Sequence, residues 1–297
     1  MIRSGKDKRF MVFVHFILIL ASLLAVVPFV MLILGSFADN GMIVKEGYSF
    51  IPHKFSLEAY QYMGYMSDTF IRAYAITIIT TVIGTALSLM LTSSLGYGLS
   101  RSAAPGIKVF SFLVLFTMLF RGGLVPTYMI YTRVFNVKNS LAAYIFPNLL
   151  ISGFNVMLVK SYVRTNIPQA LLESAELDGA SEMTIFFRIV MPLSLPILAT
   201  IGLLVGVTYW NSWQNGLYYI TDTQLYSIQN ILNRMLQDIR YLQSGAMGSY
   251  AGELMSNMPT NSVRMAIAVI GVLPILVLYP FFQKYFVKGI TVGAVKG

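Results

Sequence analysis

The chain has 297 residues, 56% hydrophobic and only 11% charged, with a mean hydropathy of +0.69, so a water-soluble domain of this composition would lack polar groups to cover its surface. A formal charge of +9 does not mark a nucleic-acid binder here, because Lys and Arg sit scattered at the ends of apolar segments and form no dense face with interleaved aromatics. The absence of cysteine excludes a disulfide framework, a thiol nucleophile and a Cys-based metal site, and His15 and His53 have no partner motif.

Six apolar spans are predicted in chain order. Arg3, Lys6, Lys8 and Arg9 precede an apolar run over 11–34, long enough to cross about 30 Å of hydrocarbon as a helix. The run exceeds a signal-peptide core, so it is predicted to be a retained span, kinked at Pro28. Residues 38–69 are polar and turn-rich and are placed outside, with a short helix over 55–62 that Ser56 could cap. The second span covers 70–99, where Gly84 and Gly96 permit close helix approach, and Arg101 stands at its inner end. The third opens over 107–120, is interrupted by Arg121-Gly122-Gly123-Leu124-Val125-Pro126, and resumes to about residue 131. Broken backbone at that depth must face protein or a water-filled cavity.

After a turn at 136–140, a fourth span over 141–163 contains Pro147, Asn148 and Asn155. The fifth, 193–209, ends in the aromatic cluster Tyr209, Trp210 and Trp213; residues 215–262 are polar and placed outside; the sixth, 263–279, leaves a basic tail. With the amino terminus inside, twelve of the 21 Lys and Arg residues fall on the inner side, the sense that the positive-inside rule requires.

Between the fourth and fifth spans lies a polar interruption, residues 168–196, holding four of the twelve acidic residues. Thr165 and Asn166 could cap a helix over 168–177, Asp178 and Gly179 stop it, and Ser181 could cap a second short helix before Pro192 breaks it. Glu173 and Glu176 lie three apart on neighbouring positions of one face, with Ala175 keeping the adjacent surface small. A helix, a glycine turn and a helix make a knob suited to a partner's cleft.

No phosphate-cradling G-x-x-x-x-G-K-[ST], no H-E-x-x-H, no G-x-S-x-G and no carboxylate pair inside an apolar span occurs, so the chain is predicted to be a non-catalytic pathway driven by another subunit. Trp210, Asn211 and Trp213 combine flat apolar faces with hydrogen-bonding edges, which suits a sugar ring; structural packing is the other role open to them. Tyr218 and Tyr219 are assigned to an aromatic belt at the membrane surface. For Arg121, interfacial snorkelling and a cavity-facing cation at an outer gate both stand.

Glu173, Ser174, Ala175, Asp178, Gly179, Ala180, Phe186, Ile189, Pro192 and Pro196 resemble the EAA loop of bacterial ABC importer permeases. Ser174 stands where the pattern has its first Ala, and Met191 where it has Leu. Together with Gly122-Gly123 and Pro126, Trp210-Asn211-Ser212-Trp213 and the terminal Gly-Ala-Val-Lys-Gly at 293–297, the resemblance covers nearly the whole chain. It is nearest to sugar-importer permeases of the maltose-permease type, particularly the LplC-like second permease of oligosaccharide systems.

That resemblance implies an all-α integral membrane protein with six transmembrane helices, the type I ABC importer permease fold, and a cytoplasmic coupling helix between helices 4 and 5. It implies domains at 1–69 (tail, first helix and outer loop), 70–282 (permease core) and 283–297 (cytoplasmic tail), in a bacterial inner membrane with both termini cytoplasmic. Its partners would be a second homologous permease chain, two ATPase subunits that carry the ATP and Mg, an extracytoplasmic solute-binding protein, an oligosaccharide and membrane lipid, with no cofactor on this chain. Glu173 would contact a basic ATPase residue, Ala175 and Gly179 would allow close packing, Asp178 would shape the turn, and Lys296 would reach the ATPase dimer. Gly122, Gly123 and Pro126 would form irregular backbone at the outer gate. A secondary transporter fits less well, since the spans lack internal charges and paired inverted halves, and a non-transporting assembly subunit is the third reading. The sugar stays open among maltodextrins, pectin fragments, alginate fragments and host glycans, because coupling machinery is shared across substrates; Arg121 would suit an acidic one.

Overall fold

The computed structural model of the chain describes residues 5–101, 106–243 and 260–294. Among them all regular structure is helical, apart from one isolated antiparallel bridge between Ala38 and Phe55. The chain divides into two compact units, Met1–Ser67 with Leu232–Pro274 and Asp68–Ile231 with Ile275–Gly297.

The first unit opens with α1 (Gly5–Ser36), which continues as helix through Pro28. Among the described residues, none of the most apolar 18 residues of α1 is buried, so this face belongs to lipid or to a neighbour. At its end Ser36 Oγ donates to the Ile33 carbonyl and bonds to Tyr60 Oη at 2.8 Å, while Phe37 stacks on Tyr60 with centroids 4.9 Å apart. Asp39 caps α2 (Asn40–Glu46) by accepting from the Met42 amide. The helix α3 (Glu58–Gly64) starts three residues later than predicted, with Leu57 at the cap position and no side-chain cap bond; Ser56 lies one residue before the cap and its Oγ accepts from the Glu58 amide.

Asp39 also accepts from Lys54 Nζ at 2.8 Å. The Lys54 hydrogen bond, followed by that of the Met42 amide, holds the Asp39 carboxyl below its ordinary 3.8, and Asp39 in turn raises Lys54. A depressed carboxyl stabilises fully above its unfolded value and loses that contribution as pH falls through the folded one; a raised ammonium does the reverse at the alkaline end. Lys54→Gln is therefore expected to lower the thermal midpoint of the detergent-purified chain at neutral pH, with the difference from wild type vanishing below the Asp39 titration. A difference that persists unchanged at pH 2 would assign the effect to something other than this pair.

The second unit is built on α4 (Ser67–Ser100), whose buried stripe is largely Ala, Ser, Thr and Gly. Two glycines of that stripe set its packing distances, as expected from sequence. A Cβ on Gly84 would meet the Tyr209 ring at 2.5 Å, and one on Gly96 would meet Val159 at 2.7 Å. Buried threonines at 77 and 80 return their hydroxyls to the carbonyls of Ala73 and Ile76, which removes the cost of a polar side chain in an apolar setting. The main core joins Tyr97 with Val159, Val163, Leu172, Ile185, Phe186, Ile201 and Tyr209.

The third predicted span is two helices, α5 (Ile107–Leu119) and α6 (Leu124–Met129), the latter continuing as a π-helical turn Ile130–Val134; the two parts are bent by 115°. The fourth predicted span is not one helix. It consists of α7 (Ala142–Ile145), a non-helical stretch at 146–152, and α8 (Gly153–Asn166). Pro147 cannot donate to a helical ladder, and Asn148 takes a left-handed conformation with φ 61°, so two consecutive residues refuse the helix.

Helix α9 (Gln169–Leu177) follows, then α10 (Glu182–Ile185), a π-helical turn Phe186–Val190, α11 (Met191–Leu193) and α12 (Leu195–Trp210), with a 79° bend before α12. After α13 (Gln214–Tyr219), α14 (Ile228–Gln243) lies inside the stretch expected to be a polar outer loop. Ile228, Ile231, Leu232, Met235 and Ile239 are buried at helical spacing. A window average conceals such a stripe because the polar face cancels it. The last helix, α15 (Thr260–Ala294), runs past the predicted end at 279: hydropathy marks where apolar character ends, not where the helix hydrogen bonds end. By length and composition two described helices can cross a membrane, and four if each bent pair serves as one span.

Candidate functional site

The polar interruption folds as a helix, a glycine turn and a helix. Its start differs from expectation. Pro168 occupies the cap position of α9 and offers no side-chain bond, while Thr165 and Asn166 remain on α8 and donate back to the Ser161 and Tyr162 carbonyls. Helix α8 thus runs into the connection and consumes the residues predicted to cap its successor. At the other end the amide of Gly179 donates to the Glu176 carbonyl and that of Ala180 to the Ala175 carbonyl, each at 3.0 Å, the two bonds of a Schellman cap. Gly179 supplies the left-handed backbone this requires, φ 80°, and within the chain nothing lies near where its Cβ would be. Asp178 is the C-terminal cap residue. Ser181 then caps α10 as expected, accepting from the Thr184 amide.

Leu172 anchors α9 in the core, Ala175 packs beside it, and the acidic residues part company. Glu176 pairs with Arg101 Nη2, and Glu182 Oε1 accepts from the same nitrogen at 3.1 Å. Glu182 Oε2 accepts from Tyr97 Oη at 2.5 Å. The end of α4 is thus tied to both arms of the interruption. Glu173 is exposed, accepts only from Gln169 Nε2 one turn back, and has no ion pair among the described residues. Ser174 turns its hydroxyl onto the Leu171 carbonyl. A cavity of about 250 Å3 lies alongside, lined by Arg101, Arg164, Gln169, Glu173 and Glu176 among others. The Arg101 knot was missed at the sequence level, although the cation ending the second span and the acid-rich loop were the signal.

At the second location, the break after α5, Phe120 is extended, Gly123 takes φ 83°, and Pro126 lies in the first turn of α6. Arg121, Gly122, Gly123 and Pro126 are all exposed, and Arg121 has no ion pair among the described residues. The break at 146–152 is the third. Three carbonyls at it are satisfied from elsewhere in the unit: Ile145 by Tyr209 Oη at 2.9 Å, Phe146 by Tyr131 Oη at 3.4 Å and Pro147 by Asn215 Nδ2 at 3.0 Å.

The aromatic cluster separates into buried and exposed members. Trp210 is 5% exposed, with its ring 6.3 Å from that of Tyr74, and so is a packing residue within the chain. Trp213 is half-buried, its carbonyl accepting from Asn230, and Asn211 is exposed at the end of α12. Tyr219 is not part of a surface belt: it is 1% exposed and stacked on Tyr128 at 5.5 Å, because α13 folds back onto α7. Tyr218 is half-buried beside the same cluster. Lys296 lies outside the described residues.

Bent apolar helix pairs, a break whose carbonyls take donors from other elements, and a polar helix–turn–helix knob are the features of a membrane permease subunit. The chain belongs to the family described as binding-protein-dependent transport system inner membrane component, which matches residues 102–292. It is 38% identical, over 98% of its length and all of the relative's, to the polygalacturonan/rhamnogalacturonan transport system permease protein YtcP of Bacillus subtilis. It is 35% identical to Protein LplC of the same organism, over 92% of this chain and 90% of that one. Among solved structures, a chain of a bacterial ABC transporter involved in import of the acidic polysaccharide alginate matches with a TM-score of 0.80 and 27% identity, covering 96% of this chain and 99% of that chain. The fold is therefore the type I ABC permease fold.

Proposed function

We propose that this chain is one of two permease subunits of an ATP-driven, binding-protein-dependent importer of acidic oligosaccharides. The observation that carries the reading is end-to-end similarity to a permease for polygalacturonan and rhamnogalacturonan, joined by the match to an importer of alginate. Both substrates are built on uronates, and the exposed cation Arg121 at the break after α5 is what such a substrate would meet.

In this reading six spans cross the inner membrane with both termini cytoplasmic. Helices α1, α4, α12 and α15 serve as spans, α5 with α6 forms a broken one, and α7 with α8 another. The 168–196 interruption is then cytoplasmic and docks on an ATPase partner, which holds the nucleotide. Glu173 faces that partner, since it has no ion pair among the described residues, while Glu176 and Glu182 are already used to hold the interruption to α4. Closure of the ATPase pair moves the spans through this attachment, a population shift that requires the partner to bind the two states unequally. Trp213 and Asn211 keep a pathway role; Trp210 supports them from within the core.

The test is uptake by reconstituted complexes of trigalacturonate and of its neutral methyl ester. Wild type is expected to prefer the acid, and Arg121→Gln to reduce that preference by about three- to tenfold, the scale of one partly screened charge contact. An unchanged preference would return Arg121 to interfacial snorkelling, and absence of trigalacturonate uptake by wild type would remove the acidic-substrate reading.

A further inference from the structure

We infer that the pocket beside the 146–152 break is a sugar-ring subsite carried by this chain, with Asn148 as its specificity-determining residue; this rests on the importer reading above. The pocket has a volume of about 650 Å3 and is lined by Tyr131, Phe135, Phe146, Asn148 and Ile151, among others. Small-molecule sites run about 300–1,000 Å3 and are mostly apolar with a few placed polar groups.

Three features favour a sugar over lipid or plain packing. The break is a built feature, because Tyr209, Tyr131 and Asn215 satisfy the carbonyls of Ile145, Phe146 and Pro147 from other elements. Among the side chains of the lining, the Asn148 amide is exposed and makes no hydrogen bond among the described residues. An unpaired amide facing acyl chains would cost its full desolvation, so the pocket must face water or a polar ligand. Tyr131 and Phe135 lie with ring centroids 5.6 Å apart at the same wall and offer flat faces to the CH patches of a pyranose, while the amide offers one donor pair and one acceptor to adjacent hydroxyls. Among the described residues the lining holds no charged side chain, so it reads ring shape and hydroxyls and leaves the carboxylate to be read elsewhere.

Asn148 stands at φ 61°, where glycine is equally at ease, so Asn148→Gly removes the amide without straining the backbone. The chain has no cysteine, and Ile151 is 47% exposed in the lining, so Ile151→Cys introduces its only thiol. In the full complex, with the other chains cysteine-free, N-ethylmaleimide labelling of that thiol is measured under turnover with and without trigalacturonate-loaded binding protein. Labelling is expected to slow when the sugar is present. Asn148→Gly is expected to raise the half-saturating trigalacturonate concentration for uptake about tenfold, the size of one to two neutral hydrogen bonds, with ATPase activity in the absence of sugar unchanged. Phe135→Leu, which keeps the apolar volume and removes the ring face, should act in the same direction. Labelling unaffected by sugar, or wild-type uptake by both Asn148→Gly and Phe135→Leu, overturns the site. A thiol already shielded before sugar is added also overturns it and assigns the pocket to the second permease chain. A wild-type complex that takes up no trigalacturonate overturns the importer reading first, and is seen before any variant is measured.

Discussion

Replacing Glu173 by lysine is expected to abolish ATP-driven uptake without unfolding the chain. The side chain is exposed at the outer face of α9, and its one bond, to Gln169 Nε2, is within the same helix, so the permease loses almost nothing internally. A partner that presents a basic residue there would meet a like charge instead, at a cost of several kcal/mol when the contact is desolvated, which is more than tenfold in occupancy of the docked state. Glu173→Gln should give a milder defect, because a neutral hydrogen-bonding group remains. Co-purification of the ATPase with the permease pair, measured beside uptake, separates lost docking from lost folding. Lysine-bearing complexes that assemble and transport at wild-type rates would sink the proposed contact.

The second large effect is expected at Arg101, and by a different route. Arg101→Ala leaves Glu176 and Glu182 facing each other with the cation between them gone, and frees the end of α4 from both arms of the interruption. Both carboxylates are partly exposed, at 41% and 59%, so screening limits the loss of folding stability to about 1 kcal/mol. The loss of transport should be larger than that figure implies, since a loosened α9 transmits partner motion poorly. Hydrogen exchange across 169–185 should accelerate, with the core segment of α12 unchanged. Exchanging the charges, Arg101→Glu with Glu176→Arg, is expected to recover part of the activity, which a merely volumetric role for Arg101 would not allow. If Arg101→Ala leaves both exchange and uptake unchanged, the knot is incidental to coupling.

Much of the local structure was legible because the residues that decide it are neighbours in sequence. Gly179 announces a left-handed turn, Ser181 a helix start, and Gly122-Gly123 with Pro126 an interrupted helix, each through a backbone constraint acting within one turn. Misreadings arose where a neighbouring helix ran on or a distant element supplied a partner. Asn166 was expected to cap α9 and instead bonds to the preceding turn, since α8 outlasts its apolar run. The spans were legible as apolar length, yet the fourth broke at Pro147 and Asn148 because its freed carbonyls find donors on other elements.

Composition and linear motifs establish that this is a membrane protein, where its apolar segments lie, that no phosphate-cradling G-x-x-x-x-G-K-[ST] run occurs, and which family its polar loop resembles. Composition, breakers and linear motifs are properties of adjacent residues and survive without a fold. Which acid stays free and which is paired is a property of the packed helices, since Arg101 meets Glu182 across 81 residues and takes Glu176 but not Glu173, its neighbour one turn back on the same face. The tertiary structure also decided that Trp210 and Tyr219 are core residues and that Asn148 lines a cavity. Burial and pairing depend on which helices pack together, and a hydropathy pattern constrains each helix's apolar face without naming its neighbour.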